Sequence, residues 1–311
     1  MKRIDRRGFL KRSGIWVASG LALPWLTSRR LIEGTLAPDP SAPGAVAAGV
    51  SGPAVAAFEL QTPHQVLQMD VSYTTYVTRF NQLYNQGYRP VWVQGSTNSA
   101  APATFSGIWV RDGNNNFYGW INMTTTDYQN NFSLYLGQGY RPISVSGYQD
   151  NGANRFAAIW LYAPTVAYDG VHNDTNAQYQ SFVTAEDTKH YIPQVVDGYA
   201  VGTNPTASDE FISIFANVPS VLWLARHGMT SSDYSSYFTT YANAGYHVTS
   251  LSAYQINGVT YFAAYWIKDS VNDWYGRHDW TPSALFSQAV TFEQADYQPT
   301  CLLYTSPSPR D

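Results

Sequence analysis

Apolar positions along this chain do not follow one period. They switch between two, and the switch recurs. After Thr124-Thr125-Thr126-Asp127, the residues Tyr128, Phe132, Tyr135 and Leu136 fall on one face of a helix. Ile143-Ser144-Val145-Ser146 then alternates at the strand period. Residues 147–152 supply turn chemistry, and Arg155-Phe156-Ala157-Ala158-Ile159-Trp160 returns as a second strand. The same grammar reappears further on. Thr230 with Asp233 precedes Tyr234, Phe238 and Tyr241 at helical spacing. A strand over 248–254, a turn at Asn257-Gly258 and a strand over 261–266 follow. A Thr with Asp three residues on has the form of a capping box, whose hydroxyl and carboxylate satisfy N–H groups that a first helical turn leaves unpaired. Thr281-Pro282 offers the same start, with Pro at the first helical position.

Between helix and hairpin lies the marker of the repeat. Gly87-Tyr88-Arg89-Pro90 recurs as Gly139-Tyr140-Arg141-Pro142, 52 residues later. Looser copies stand at His190-Tyr191-Ile192-Pro193, Gly245-Tyr246-His247-Val248 and Asp296-Tyr297-Gln298-Pro299, each 51 to 55 residues after the last. Tyr is present in every copy, and the Gly stands where a left-handed helix terminus wants it. The predicted unit is one helix plus one β-hairpin, about 50 residues long, repeated five times over 64–299. The fold class is α+β. The fifth copy reaches only Tyr297-Gln298-Pro299, so its hairpin is expected beyond the sequence.

Composition changes this picture once it is divided. Charged residues make up 13% of the chain, against a usual share of about 25%, while aromatics reach 15%. Residues 58–300 keep 9 of the 18 basic residues and 18 of the 22 acidic ones, which argues against a general nucleic-acid binder. The single Cys, Cys301, excludes an intrachain disulfide and any Cys-rich metal site. It lies in a stretch, 301–311, that resembles one reading frame of a transposon-based sequencing adapter, so it is expected to be foreign.

Most of the missing basic charge sits at the N-terminus. Asp5-Arg6-Arg7-Gly8-Phe9-Leu10-Lys11 resembles the bacterial twin-arginine export signal, carried by Arg6, Arg7, Phe9, Leu10 and Lys11. The apolar stretch over 14–26 is shorter than the roughly 20 residues a bilayer span needs, and fits a signal h-region. Residues 1–36 are therefore read as the signal region and 37–63 as a Pro/Ala-rich linker. Ala45-Val46-Ala47 and Ala54-Val55-Ala56 are two alternative cleavage sites. The resemblance implies a bacterial protein exported folded by the twin-arginine machinery. It would be periplasmic or extracellular, with no membrane span in the mature form.

The pattern Arg226-His227-Gly228-Met229-Thr230, Tyr234, Ala244-Gly245-Tyr246, Ser252-Ala253-Tyr254 and Tyr261-Phe262-Ala263-Ala264-Tyr265-Trp266 resembles the bacterial tandem repeat domain, the structural repeat of polyglycine-hydrolase-like proteins. That resemblance implies a curved antiparallel sheet flanked by helices. It also implies a β-lactamase-like serine hydrolase domain further along the full protein. Such a domain needs Ser-x-x-Lys. In residues 58–300 the two lysines, Lys189 and Lys268, are preceded at that spacing by Glu186 and Tyr265, so the motif is absent there. Tyr241-Ala242-Asn243 imitates a second element of those enzymes but occupies a helix position of the repeat.

No catalytic, cofactor-binding or metal-binding residues are assigned. His172, His227 and His278 align across successive units and are read as packing residues at the helix entry rather than as ligands. Glu186-Asp187 and Asp209-Glu210 are read as solvated loops. Trp109, Trp160 and Trp266 end each hairpin and are read chiefly as core, with an aromatic platform for sugars or extended peptides as the alternative. Tyr148, Tyr199 and Tyr254 fall at the hairpin turns and are expected to be exposed, which makes them the better ligand-binding candidates. The expected function is a non-catalytic, exported, substrate-engaging scaffold of a serine hydrolase whose catalytic domain is a partner in the same chain. The alternatives are a free-standing glycan- or peptide-binding module and a cell-surface spacer.

Overall fold

The computed structural model describes residues 58–61, 65–97, 102–269, 274–276, 289–292 and 299. The twin-arginine motif, His278, Thr281-Pro282 and the stretch 301–311 lie outside the described residues.

A short strand, β1 (Phe58–Gln61), pairs with the first unit, so this part of the expected linker is strand. Unit one contains β2 (Gln65–Ser72), α1 (Tyr73–Asn85), β3 (Arg89–Ser96) and β4 (Thr104–Val110). Unit two contains β5 (Phe117–Met123), α2 (Thr125–Gly137), β6 (Tyr140–Asp150) and β7 (Ala153–Tyr162). Unit three contains β8 (Tyr168–Thr175), α3 (Asn176–Thr188), β9 (Ile192–Val201) and β10 (Ser208–Ala216). Unit four contains β11 (Leu222–Thr230), α4 (Ser231–Asn243), β12 (His247–Ile256) and β13 (Val259–Lys268). The α+β repeat is thus strand–helix–strand–strand. In each antiparallel sheet the unit's last strand lies between its other two, and in unit one β1 adds a fourth strand outside β2.

The helices begin and end as their sequences dictate. Thr124 and Asp127 form a reciprocal capping box, as do Thr175 with Gln178 and Thr230 with Asp233. Each such cap contributes about 1 kcal/mol. At the other end Gly87, Gly139 and Gly245 have φ of 84°, 81° and 84°, and His190 takes the same left-handed conformation at 59°. In unit one, Tyr88 N–H bonds Leu83 C=O and Gly87 N–H bonds Tyr84 C=O, the double closure of a Schellman motif. Such a terminus carries an apolar contact from the residue after the left-handed one back onto the helix. The recurring Tyr makes it: Tyr140 lies 6.2 Å from Tyr135, and Tyr246 lies 6.3 Å from Tyr241.

The first strand of each unit is absent from the sequence-based prediction. β8 shows why: Tyr-Asp-Gly-Val-His-Asn-Asp-Thr is largely polar, and every residue but its last is half-buried. A bulge with a left-handed residue (Asp70, Asn122 or Asn173, with Gly228 in unit four) also breaks the alternation.

The middle strands read as continuous apolar runs because both faces are buried. In unit two, Phe156, Ala158 and Trp160 pack under the unit's own α2, whereas Ala157 and Ile159 complete the core beneath α1 of unit one. Unit three repeats this, with Ile212 and Ile214 closing the core of unit two, and Ala263 and Tyr265 of unit four close that of unit three. Helices α1, α2 and α3 are each held between two sheets. Phe80 of α1 meets Phe117 of unit two at 6.3 Å, and Phe132 of α2 meets Tyr168 of unit three at 5.3 Å. Among the described residues, units one, two and three each complete their core with residues of the next unit.

Candidate functional site

The single curved sheet is divided into separate sheets whose inner strands β3, β6, β9 and β12 lie side by side without a backbone ladder. An inner strand presents an unpaired edge, and serine side chains of the next unit occupy it. Ser144 Oγ accepts Val93 N–H at 3.0 Å, and Ser146 Oγ accepts Gly95 N–H at 3.1 Å. Ser250 and Ser252 do the same for Val196 and Gly198, both at 3.0 Å. The hydroxyls also lie 3.3 to 3.5 Å from the carbonyls of those same residues, so one hydroxyl serves both backbone groups.

Unit three departs from this rule. Val195 and Asp197 stand where the Ser pair would be, and Asp197 Oδ2 accepts Gly147 N–H at 3.0 Å. Asp197 Oδ1 receives Ser252 Oγ at 2.5 Å. Burial pushes this carboxyl up to about 6, against the opposing pull of the Ser252, Ser146 and Gly147 donors.

Next to each capped glycine stands a tyrosine lock. A Cβ on Gly95, Gly147 or Gly198 would fall 2.2, 2.3 or 2.5 Å from ring atoms of Tyr148, Tyr199 or Tyr254 of the following unit. Only glycine admits the ring. The expected exposure of these tyrosines is therefore corrected: they are 3%, 3% and 6% exposed. In units two and four the hairpin turn is just Asn151-Gly152 or Asn257-Gly258, with positive φ at both residues, as a type I′ turn demands. Residues 147–150 continue the strand, so Tyr148 points into a neighbour rather than out of a loop. Tyr199 donates to Glu210 Oε2 and Tyr254 to Asp209 Oδ2, both at 3.1 Å. Asp209 and Glu210 therefore lie on strand β10, not in a solvated loop. Glu186 lies in helix α3, not a loop, and is fully buried with Lys189 Nζ 2.7 Å from Oε1, whereas Asp187 beside it is exposed.

Trp109, Trp160 and Trp266 are completely buried, 5.3, 5.1 and 5.1 Å from Tyr76, Tyr135 and Tyr241. The core reading of the tryptophans stands, and they form no open platform. His172 and His227 pack edge-on against the first-turn tyrosine of the preceding helix, at 5.1 Å from Tyr128 and 4.9 Å from Tyr179. Burial lowers both imidazoles, favouring their neutral form.

What remains open is a cleft floored by the inner strands. One part, open to solvent, is lined by Trp92, Gln94, Ser144, Gln194, Asp197 and Thr249 among others. A second part adds Thr97, Gln149 and Gln255, and shares Gln94 and Asp197 with the first. All four units contribute to both. Apart from Asp197 the lining carries no charge; amides and hydroxyls alternate with apolar side chains such as Ile143, Val195 and Leu251. Sequence reasoning missed the Ser pairs and Asp197, although Ser144-Val145-Ser146 and Ser250-Leu251-Ser252 share one offset from the recurring Tyr.

Geometry alone defines a tandem α+β repeat array with shared cores. A family model described as polyglycine hydrolase-like, structural repeat, matches residues 63–112, 119–162, 166–216 and 220–269. These segments cover more than half the chain and coincide with the four units, so the chain belongs to the polyglycine hydrolase-like structural repeat family. A search of curated proteins found no match.

Proposed function

We propose that this chain is the non-catalytic repeat scaffold of an exported bacterial serine hydrolase, and that it holds substrate against a β-lactamase-like domain of the same protein. The observation that supports this reading is the use already made of the reactive-looking side chains. The aromatic series, the Asp209-Glu210 pair and the histidines His172 and His227 are consumed by contacts within and between units. What the array offers is shape: a cleft crossing four units whose one ionisable carboxylate is Asp197. The Arg6-Arg7 signal supports export in the folded state, to the periplasm or beyond. Among the described residues no helix is long and apolar enough to cross a membrane.

Sequencing the source locus past Thr300 tests the proposal. A Ser-x-x-Lys within a downstream hydrolase domain is expected; a stop codon close after Thr300 overturns the hydrolase link. The amide-lined cleft favours a second reading in that case, a free-standing peptide- or glycan-binding module. Retention on an oligopeptide or cell-wall matrix that falls when Gln149 and Gln255 become Glu supports it.

A further inference from the structure

The serine caps set a proton count for every junction between inner strands. A neutral hydroxyl has one proton and accepts others, so it can take an N–H and give its own proton to a C=O. Ser144 and Ser250 sit against both backbone groups of Val93 and Val196 in that way, and Ser146 does so at Gly95 while its hydroxyl also faces Asp197. An ionised carboxylate has no proton to give. Asp197 takes Gly147 N–H, but it cannot serve the C=O of the same residue as a serine would. It also competes for the proton of Ser252, whose Oγ accepts Gly198 N–H at 3.0 Å and lies 3.3 Å from Gly198 O and 2.5 Å from Asp197 Oδ1. When that hydroxyl points at the carboxylate, Gly198 C=O loses its side-chain donor. With Asp197 ionised, the junction of units two, three and four is one proton short.

We propose that Asp197 is a buried proton-binding site that joins three repeat units, and that taking up a proton there tightens the array. Protonated, the carboxyl donates to Ser252 Oγ, which frees the serine proton for Gly198 C=O while Gly147 N–H remains bound. No bond is lost and one is gained. The groups facing Asp197 are the Ser146 hydroxyl and Gly147 amide from β6 and the Ser252 hydroxyl from β12. Across the ladder β10 places Ile212 opposite it, and on its own strand Tyr199 carries a phenol whose ionisation Asp197 opposes. Among the described residues no cationic side chain acts on it, and burial moves its titration from the ordinary carboxylate range to about 6.

The sign follows from linkage. A carboxyl raised in the folded state holds its proton where the unfolded chain has lost its own, so stability falls as pH rises from about 4 to about 6 and is level above. His172, His227 and His247, all lowered by burial, act in the opposite sense, so the comparison must be with a variant.

The test is urea unfolding of the full chain and of Asp197→Asn between about pH 7.5 and about pH 4.5. The amide of Asn donates permanently in place of the missing proton. The variant is expected to have the higher midpoint at neutral pH and to lose that advantage as acid protonates Asp197. A gap that stays constant, or widens in acid, overturns the proposal. A direct readout that needs no variant to fold is the carbon-13 NMR titration of the Asp197 carboxyl. A midpoint near 6 supports the site, and one in the ordinary range near 4 overturns it.

Discussion

Units two and three share one backbone and fill it differently. Unit two places Ala158 and Trp160 under its helix and receives Ile214 from unit three. Unit three has Ser213 and the smaller Phe215 at those positions and receives Tyr265 from unit four. The Tyr265 ring lies 5.5 Å from Phe215, and its hydroxyl bonds Ser213 Oγ at 2.8 Å and the hydroxyl of Tyr179. Volume lost inside one unit is restored by a larger residue from the next, and the polar atoms thereby introduced satisfy one another. The quantity conserved along the array is the filled space between sheets rather than any unit's own residue set.

That comparison can be broken at its strong end. In unit two, Trp160→Ala removes a ring that no neighbour can replace, and should cost about 3–5 kcal/mol in urea unfolding. Unit three offers a sharper version. Phe215→Trp inserts a ring into space that Tyr265 already fills, and should cost about 1–3 kcal/mol. Adding Ser213→Ala and Tyr265→Ile rewrites the site in the terms of unit two and should recover most of the loss. If the triple variant is no more stable than the single one, the compensation across the boundary is refuted.

Much of this contrast is hidden in the sequence for identifiable reasons. Local signals survive well: the Thr124–Asp127 capping box, the left-handed Gly139, the hairpin strands and the tryptophan cores are all legible. Each is written in residues adjacent along the chain or repeated at one period. Signals that depend on the neighbouring unit are not. Tyr148 beside Gly147 looks like the edge of a turn, and only the glycine of unit one, Gly95, explains why the ring is buried. Asp197 looks like a lone acidic residue in a largely apolar strand, yet it stands at the serine position of the cap. Polar β8 hides its strand because its hydrogen bonds go to β10, 35 or more residues away.

The smallest expected effect lies at the helix ends. Gly139 adopts its left-handed φ without strain, whereas His190 adopts the same region with a side chain attached. His190→Gly should stabilise the chain by about 0.5–1 kcal/mol, and Gly245→His, where a Cβ meets only the flexible end of Lys268, should destabilise it by about 1–2 kcal/mol. Thermal melts of the two variants would show whether the units obey one backbone rule with different residues.

The claim beneath all of this is that neighbouring units interlock, and amide hydrogen exchange on Gly147→Ala examines it most directly. The new methyl lies in unit two, but the ring it meets, Tyr199, belongs to unit three. Interlocked units predict that protection falls together in β6, β9 and β10. Loss confined to unit two, with unit three as protected as before, would contradict the shared-core account.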